Sequence, residues 1–346
     1  MMNSKMERYL DDLFVVEGAM IEDNGEDSWF CALGETSAIV AAFDGSGGLG
    51  AKKYRNFSGK TGAYIGARIV SGAAGDWYHT ADTQGRIAEE GFRSFPDYVR
   101  RGYALAKARI DERIRVSGSM TREFPTTAAA AVLTLVDEKG GPLGSHGRFD
   151  CKLQVLWAGD SRVYLLDPSG LIQVTRDDLD EMDAYRNITS DGVMNNVVAA
   201  DGQTIFHTGS ITLESPFLVF AATDGCFGYT RTPMEFEYLI LSAMAQAWTP
   251  EEFRRILYES MEARAEDDFA LCFMAAGFGS FAQMKKIFAS RKGQLEEKYI
   301  RPLEELRGSD REASRELEKE LWEEYRTGYE RLLKDKELWE NLEDIR

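Results

Sequence analysis

Two segments of this chain end in the same way. An uncharged, largely apolar run breaks directly into Asp-Gly, once in Ile39-Val40-Ala41-Ala42-Phe43-Asp44-Gly45 and again in Phe217-Leu218-Val219-Phe220-Ala221-Ala222-Thr223-Asp224-Gly225. An apolar run of that length reads as a core strand. A carboxylate at the end of a core strand costs several kcal/mol to bury unless a cation neutralises it. Carboxylates gathered at several strand ends therefore point to a hard-metal site built from oxygen ligands.

The chain supplies more members of that set. Asp44-Gly45-Ser46-Gly47-Gly48 follows one core run, and its glycines let the backbone approach an ion closely. Gly159-Asp160-Ser161-Arg162 joins two β-type runs and reads as a tight hairpin. Glu266-Asp267-Asp268 closes a helical stretch before the last strand, and Glu26-Asp27 precedes an early one. Asp-Gly is also an ordinary turn pair, so each site by itself has a plain structural reading.

The 346 residues can bury a large core in one or two domains. No apolar stretch approaches the roughly 20 residues of a membrane span, and Met1–Leu10 lacks the apolar centre of a signal peptide. The cysteines, Cys31, Cys151, Cys226 and Cys272, are widely separated and form no CxxC pair. Free thiols in a reducing cytoplasm are the expectation. The net charge of -17 argues against nucleic acid and anionic membrane as partners. Residues 281–346 hold 15 Lys and Arg against 17 Asp and Glu, so the first 280 residues carry nearly all of the acid excess.

Composition shifts near Gly277, which predicts a domain over 1–280 and a second segment over 281–346. In the first, strands are predicted at Leu13–Glu17, Ser28–Leu33, Ser37–Phe43, Thr127–Val136, Lys152–Ala158, Arg162–Leu166, Pro216–Ala222 and Phe269–Ala275. Helices are predicted at Gly59–Ala73, Glu89–Val116, Pro233–Ala247 and Pro250–Ala265. The last opens with Thr249 as cap, Pro250 in first position and Glu252 completing a capping box. Strands followed by paired helices, twice over, predict an antiparallel α+β fold.

In their order along the chain, these elements resemble the protein phosphatase 2C family of metal-dependent serine/threonine phosphatases, its bacterial branch in particular. The resemblance rests on Asn24-Gly25-Glu26-Asp27, Asp44-Gly45-Ser46-Gly47-Gly48, Thr126-Thr127-Ala128-Ala129, Gly159-Asp160-Ser161-Arg162, Val174-Thr175-Arg176-Asp177-Asp178, Ala222-Thr223-Asp224-Gly225 and Asp267-Asp268-Phe269-Ala270. It covers about residues 10 to 276. It implies an α-β-β-α sandwich of two antiparallel sheets flanked by helix pairs, here with a C-terminal helical extension. It implies two Mn2+ or Mg2+ ions and a weaker third, and phosphorylated proteins as substrates, cleaved by a hydroxide bridging the metals. It implies Asp44 bridging both ions, the Gly45 carbonyl on one of them, Asp224 and Asp267 on the other, and Asp27 with Glu26 holding metal-bound water. Asp160 and Asp224 match the third-ion positions.

The chain departs from that pattern in several places. Gly18-Ala19-Met20-Ile21-Glu22-Asp23 holds no basic residue where the family has a phosphate-gripping arginine, and Gly25 reads as an insertion. Lys52, Lys53 or Arg55 could substitute, against the plainer reading of surface cations. Ser46 stands where many members have a histidine, and no aspartate follows Asp224-Gly225. His79, His146 and His207 match no metal spacing. Arg162 is expected to pair with a carboxylate, Thr126-Thr127 to pack, and Asp177–Gly209 to form the family's flap.

Residues 281–346 read as helical throughout, with an amphipathic stripe of Leu317, Leu321, Tyr325, Tyr329, Leu332, Leu333, Leu338, Trp339 and Leu342 and a turn at Gly308-Ser309-Asp310. The stripe packs on the chain itself or serves a partner or a second copy. Two functions stay open: an active phosphoprotein phosphatase, and a phosphatase-fold binding protein with weak or no catalysis. A phosphatase of small phosphorylated metabolites is a third.

Overall fold

The computed structural model describes residues 5–110, 122–136, 149–179, 194–307 and 311–346. His146, the Gly308-Ser309-Asp310 turn and residues 180–193 of the expected flap lie outside them. Over the described residues the strands are β1 (Leu10–Gly18), β2 (Ser28–Leu33), β3 (Ser37–Phe43), β4 (Lys53–Tyr54), β5 (Lys60–Thr61), β6 (Ala128–Leu135), β7 (Asp150–Ala158), β8 (Arg162–Asp167), β9 (Gly170–Gln173), β10 (Phe206–Glu214), β11 (Phe217–Ala222), β12 (Phe269–Ala276) and β13 (Glu340–Ile345). The helices are α1 (Gly47–Gly50), α2 (Gly62–Thr83), α3 (Ile87–Glu90), α4 (Phe95–Lys107), α5 (Asp224–Phe227), α6 (Pro233–Gln246), α7 (Pro250–Glu262), α8 (Phe281–Leu295), α9 (Arg301–Arg307), α10 (Arg311–Tyr329) and α11 (Arg331–Lys334).

Strands β3, β11 and β12 are buried at every position. Side chains alternate between the two faces of a strand, so such strands need an apolar layer on each side. The fold meets that need with two antiparallel sheets stacked face to face and helices outside both. One sheet runs β1-β12-β11-β8-β9 and the other β13-β10-β7-β6-β3-β2. Between them lies a core that includes Val40, Leu133, Val155, Val219 and Met274. A second core, with Ile39, Trp77, Phe95 and Leu156, joins the six-stranded sheet to α2 and α4. A third, with Phe14, Phe220, Phe236 and Phe253, joins the five-stranded sheet to α6, α7 and α8. The expected α-β-β-α sandwich is the observed one.

Local chemistry sets the helix starts. The side chains of Thr61, Thr232, Thr249 and Ser280 each accept a backbone N–H from the first turn of the following helix. The capping box at Thr249 is shifted by one: the Glu252 carboxylate accepts the Trp248 N–H rather than that of the cap. The single helix expected over Glu89–Val116 is broken, because Gly91 takes a φ of 55° that ends α3 before α4 begins.

The C-terminal segment is corrected at its end. Glu340–Ile345 is not helical but forms β13, antiparallel to β10 with Phe206 opposite Ile345 and His207 opposite Asp344. The charged, exposed run carries no strand pattern of its own; the open edge of β10 supplies its hydrogen bonds. Upstream, the stripe turns inward. Trp322, Tyr325 and Tyr329 join the core beneath the five-stranded sheet, and Leu332 joins the core between the sheets. Glu237 of α6, fully buried, holds Arg291 of α8 through two bonds of 2.7 Å and accepts the Tyr325 hydroxyl of α10 at 2.6 Å. Leu338 and Leu342 stay exposed.

Candidate active site

In an antiparallel sheet, strands that end and strands that begin share an edge. In the six-stranded sheet, Phe43 at the end of β3 stands opposite Ser28 at the start of β2, and Ala158 at the end of β7 opposite Ala128 at the start of β6. In the five-stranded sheet, Ala222 at the end of β11 stands opposite Arg162 and Leu271, near the starts of β8 and β12. The flanking acids, Asp27, Asp44, Asp160, Asp224 and Asp267, are thereby carried to one end of the sandwich. The Gly159–Ser161 turn is not the expected hairpin: β7 and β8 belong to different sheets, so it crosses between them at that edge.

Glycine makes the close approach sterically feasible. A Cβ on Gly225 would lie 1.9 Å from the Asp268 carbonyl oxygen, and one on Gly45 would lie 2.7 Å from the Glu26 oxygen and 2.9 Å from that of Ala63. Each Asp-Gly pair therefore marks a place where two backbones cross within contact, with the aspartate at the crossing. Thr126 and Thr127 lock the first crossing: the Asp44 N–H donates to Thr127 Oγ1 at 3.1 Å, and the Asp44 carbonyl accepts the Thr126 hydroxyl at 2.6 Å and the Thr127 N–H at 2.8 Å. This is the packing role expected of the pair.

The carboxylates disturb one another. Burial pushes the Asp27 carboxyl up to about 8, against a hydrogen bond from Thr223, and the Asp224 charge adds to the rise. Burial pushes Asp44 well above the usual carboxylate range, and the charges of Asp224, Asp27 and Asp160 push it further. A hydrogen bond between Asp44 and Asp27 raises the one carboxyl further and lowers the other. Asp160 is raised by burial and by Asp224 and Asp177. Asp224 is pushed up to about 6 by burial and by Asp267. Asp267, exposed at the rim, is raised by desolvation and by Asp268. The structure thus brings together Asp27, Asp44, Asp160 and Asp224, with Asp267 beside Asp224.

The donor set suits hard divalent cations. All donors are oxygens, and Asp27 Oδ2 and Asp160 Oδ1 are sealed from solvent without a hydrogen-bond partner. The carboxylates are not drawn onto a single point: among the described residues no three Asp, Glu, His or Cys side chains close into a cage. Like charges without a cation have no reason to close further.

The weaker candidates divide. Glu26 lies on the rim, where its side chain accepts the Thr61 hydroxyl, and burial raises its pKa. Ser46 Oγ is buried without a partner just ahead of α1. Lys52 Nζ is also buried without a hydrogen bond and sits 4.8 Å from the Tyr54 ring, with no contact to the carboxylates; Lys53 and Arg55 are exposed.

Several supports of the site had no role assigned from the sequence, although Asp268 and Asp178 lie in motifs named above. Asp268, beside the candidate Asp267, accepts the N–H groups of Met20 and Glu26, both at 2.7 Å, and so pins the loop that carries Asp27. Arg68 of α2 donates to the Gly25 carbonyl at 2.9 Å and stacks on Tyr64. Asp178 accepts the Gly159 N–H at 2.9 Å and orients the Asp160 turn. None of these had a spacing signal, since each acts on a partner distant in sequence. Arg162 pairs as expected, gripping Asp177 with bonds of 2.9 and 2.6 Å in full burial.

No family model and no curated protein matches the sequence. Solved structures do match the fold. The serine/threonine phosphatase Stp1 of Staphylococcus aureus aligns over 77% of this chain and 95% of its own, with a TM-score of 0.52 and 14% identity. A bacterial serine phosphatase aligns over 77% of this chain and 98% of its own, also with a TM-score of 0.52, at 15% identity. The fold is that of the bacterial serine/threonine phosphatases. Within this phosphatase fold, the acidic edge described above belongs to the chain's own geometry. No helix of the described residues is long and apolar enough to cross a membrane, and all four cysteines are free thiols.

Proposed function

We propose that this chain is a divalent-cation-dependent phosphatase that hydrolyses phosphoserine and phosphothreonine in proteins. The observation that carries the reading is the mutual electrostatic strain of Asp27, Asp44, Asp160 and Asp224 at one sandwich edge. Buried carboxylates that resist ionisation beside one another are better matched to cations than to water. Two Mn2+ or Mg2+ ions bound there would acidify a water molecule and set positive charge against the substrate phosphate. Asp44, the Gly45 carbonyl, Asp224 and Asp267 would hold such ions, with Asp160 and Asp224 as ligands to a weaker third, and Asp27 and Glu26 would accept hydrogen bonds from water bound to them. Without cations the same carboxylates would repel a phosphate dianion.

The test is phosphate release from p-nitrophenyl phosphate and from a phosphothreonine peptide. Activity should need Mn2+ or Mg2+, vanish in EDTA while the fold persists, and fall to the blank in Asp44→Asn. Equal release by wild type and Asp44→Asn would refute it. Equal release at the level of the blank would favour a phosphatase-fold binding protein, a reading supported by exposed Met20 and Ile21 in the loop that lacks a basic residue.

A further inference from the structure

Between the C-terminal segment and the six-stranded sheet lies a cavity of about 270 Å³ whose lining includes none of Asp27, Asp44, Asp160, Asp224 or Asp267. Its volume is close to the lower end of small-molecule sites, roughly 300 Å³. Its aromatic wall is Trp157 of β7 and Trp339, which precedes β13; their ring centroids are 6.3 Å apart and tilted by 44°. The approach of Trp339 depends on Gly209, where a Cβ would lie 2.6 Å from the indole. The Trp339 N–H is satisfied by the Leu332 carbonyl at 2.8 Å, so the indole presents carbon faces rather than a free donor.

The charges around the cavity are unequal in their commitments. Its two carboxylates, Asp178 and Asp344, are both engaged by His207, at 2.9 Å through Nε2 and 2.7 Å through Nδ1. Its two side-chain cations are not so engaged. Arg176 donates one N–H to the Leu333 carbonyl at 2.8 Å, and neither Arg176 nor Lys336 forms an ion pair with a described residue. Both are exposed at the cavity's rim. Indole faces favour a flat π-system, and a guanidinium and an ammonium favour an anionic group.

We propose that this cavity binds a compact planar aromatic anion, with its ring against Trp157 and Trp339 and its charged group held by Arg176 and Lys336. The occupant adjoins the acidic edge without entering it: Asp178, in the cavity wall, also holds the Gly159 N–H next to Asp160. Binding here is independent of catalysis and needs no cation.

Calorimetric titration of the full chain in EDTA with naphthalene-1-sulfonate, and with its uncharged sulfonamide, tests this. One sulfonate should bind per chain, about tenfold more tightly than the sulfonamide, as one charge-assisted contact requires. The Arg176→Gln/Lys336→Met variant should lose about the same factor for the sulfonate only. Leu342→Trp, which fills the cavity from an exposed position of β13, should abolish binding. Should the double variant misfold by circular dichroism, Lys336→Met alone carries the comparison. Unchanged affinity in the charge variant, equal affinity for both probes, survival of binding in Leu342→Trp, or no binding at millimolar probe each overturns the proposal.

Discussion

Neutralising one member of the acidic edge should stabilise the cation-free protein while removing a cation ligand. Asp224 is the clearest case, because its folded-state carboxyl is raised from 3.8 to about 6 by burial and by Asp267. A carboxyl raised by folding contributes nothing below its unfolded value, since both states are then protonated. As pH climbs from 3.8 to about 6, the folded state must give up a proton it holds more tightly, and stability falls. Above that range the loss is constant. A shift of roughly two pKa units corresponds to about 3 kcal/mol. Asp224→Asn removes the titration, and the amide oxygen can still accept the Gly225 N–H. In EDTA at pH 7.5 the variant should therefore unfold with a free energy up to about 3 kcal/mol above wild type, a rise of several degrees in Tm. At pH 4 the advantage should shrink toward zero. With Mn2+ present the order should reverse, because wild type gains the binding free energy of the ion. Urea and thermal melts of both proteins at the two pH values, with and without Mn2+, read all three outcomes. An Asp224→Asn variant that is no more stable than wild type in EDTA at pH 7.5, or equally more stable at pH 4, would refute the electrostatic account of the edge.

Other consequences are equally direct. Gly225→Ala places a methyl 1.9 Å from the Asp268 carbonyl, so the β11 and β12 ends must part; a urea midpoint shift equivalent to about 1–3 kcal/mol and loss of Mn2+-dependent activity are expected. Arg162→Met removes the two-bond cationic partner of the buried Asp177 and should cost about 3–5 kcal/mol, whereas Arg162→Met/Asp177→Asn should cost clearly less than the sum of the single changes in a denaturation cycle. The His207 pKa is raised, first by its hydrogen bond to Asp178 and also by Asp344, so the stability it confers is fully present below its ordinary value of 6.5 and is lost as pH rises through the higher folded value. The difference in Tm between wild type and His207→Gln should accordingly narrow on going from pH 6 upward, and a difference that widens with pH would contradict the pairing.

How much of this was legible beforehand depended on where each element finds its partners. Strand β3 matches its predicted limits because its apolar run is buried on both faces, and β2 matches as the half-buried edge strand paired to it. The order of strands and helix pairs carried the sandwich with it. The acidic residues were visible as strand-end Asp-Gly and Asp-Asp pairs, and their gathering at one edge follows from antiparallel alternation. The supports of that edge were not visible. Asp268 and Asp178 stand in the motifs and Arg68 outside them, but the role of each is a bond to a backbone group that no local pattern identifies.

The sequence alone therefore determined the layers: continuous apolar runs demand cover on both faces, and capped helices with one apolar stripe provide it. Only the tertiary structure decided the rest. It made a strand of the charged segment Glu340–Ile345, because β10 offered an unpaired edge and Gly209 left room for Trp339. It also sent the Asp160 turn across the sandwich instead of back along one sheet, because β7 and β8 bury their faces in different layers. Local pattern specifies what a segment must hide, whereas the choice of neighbour that hides it is a property of the whole chain.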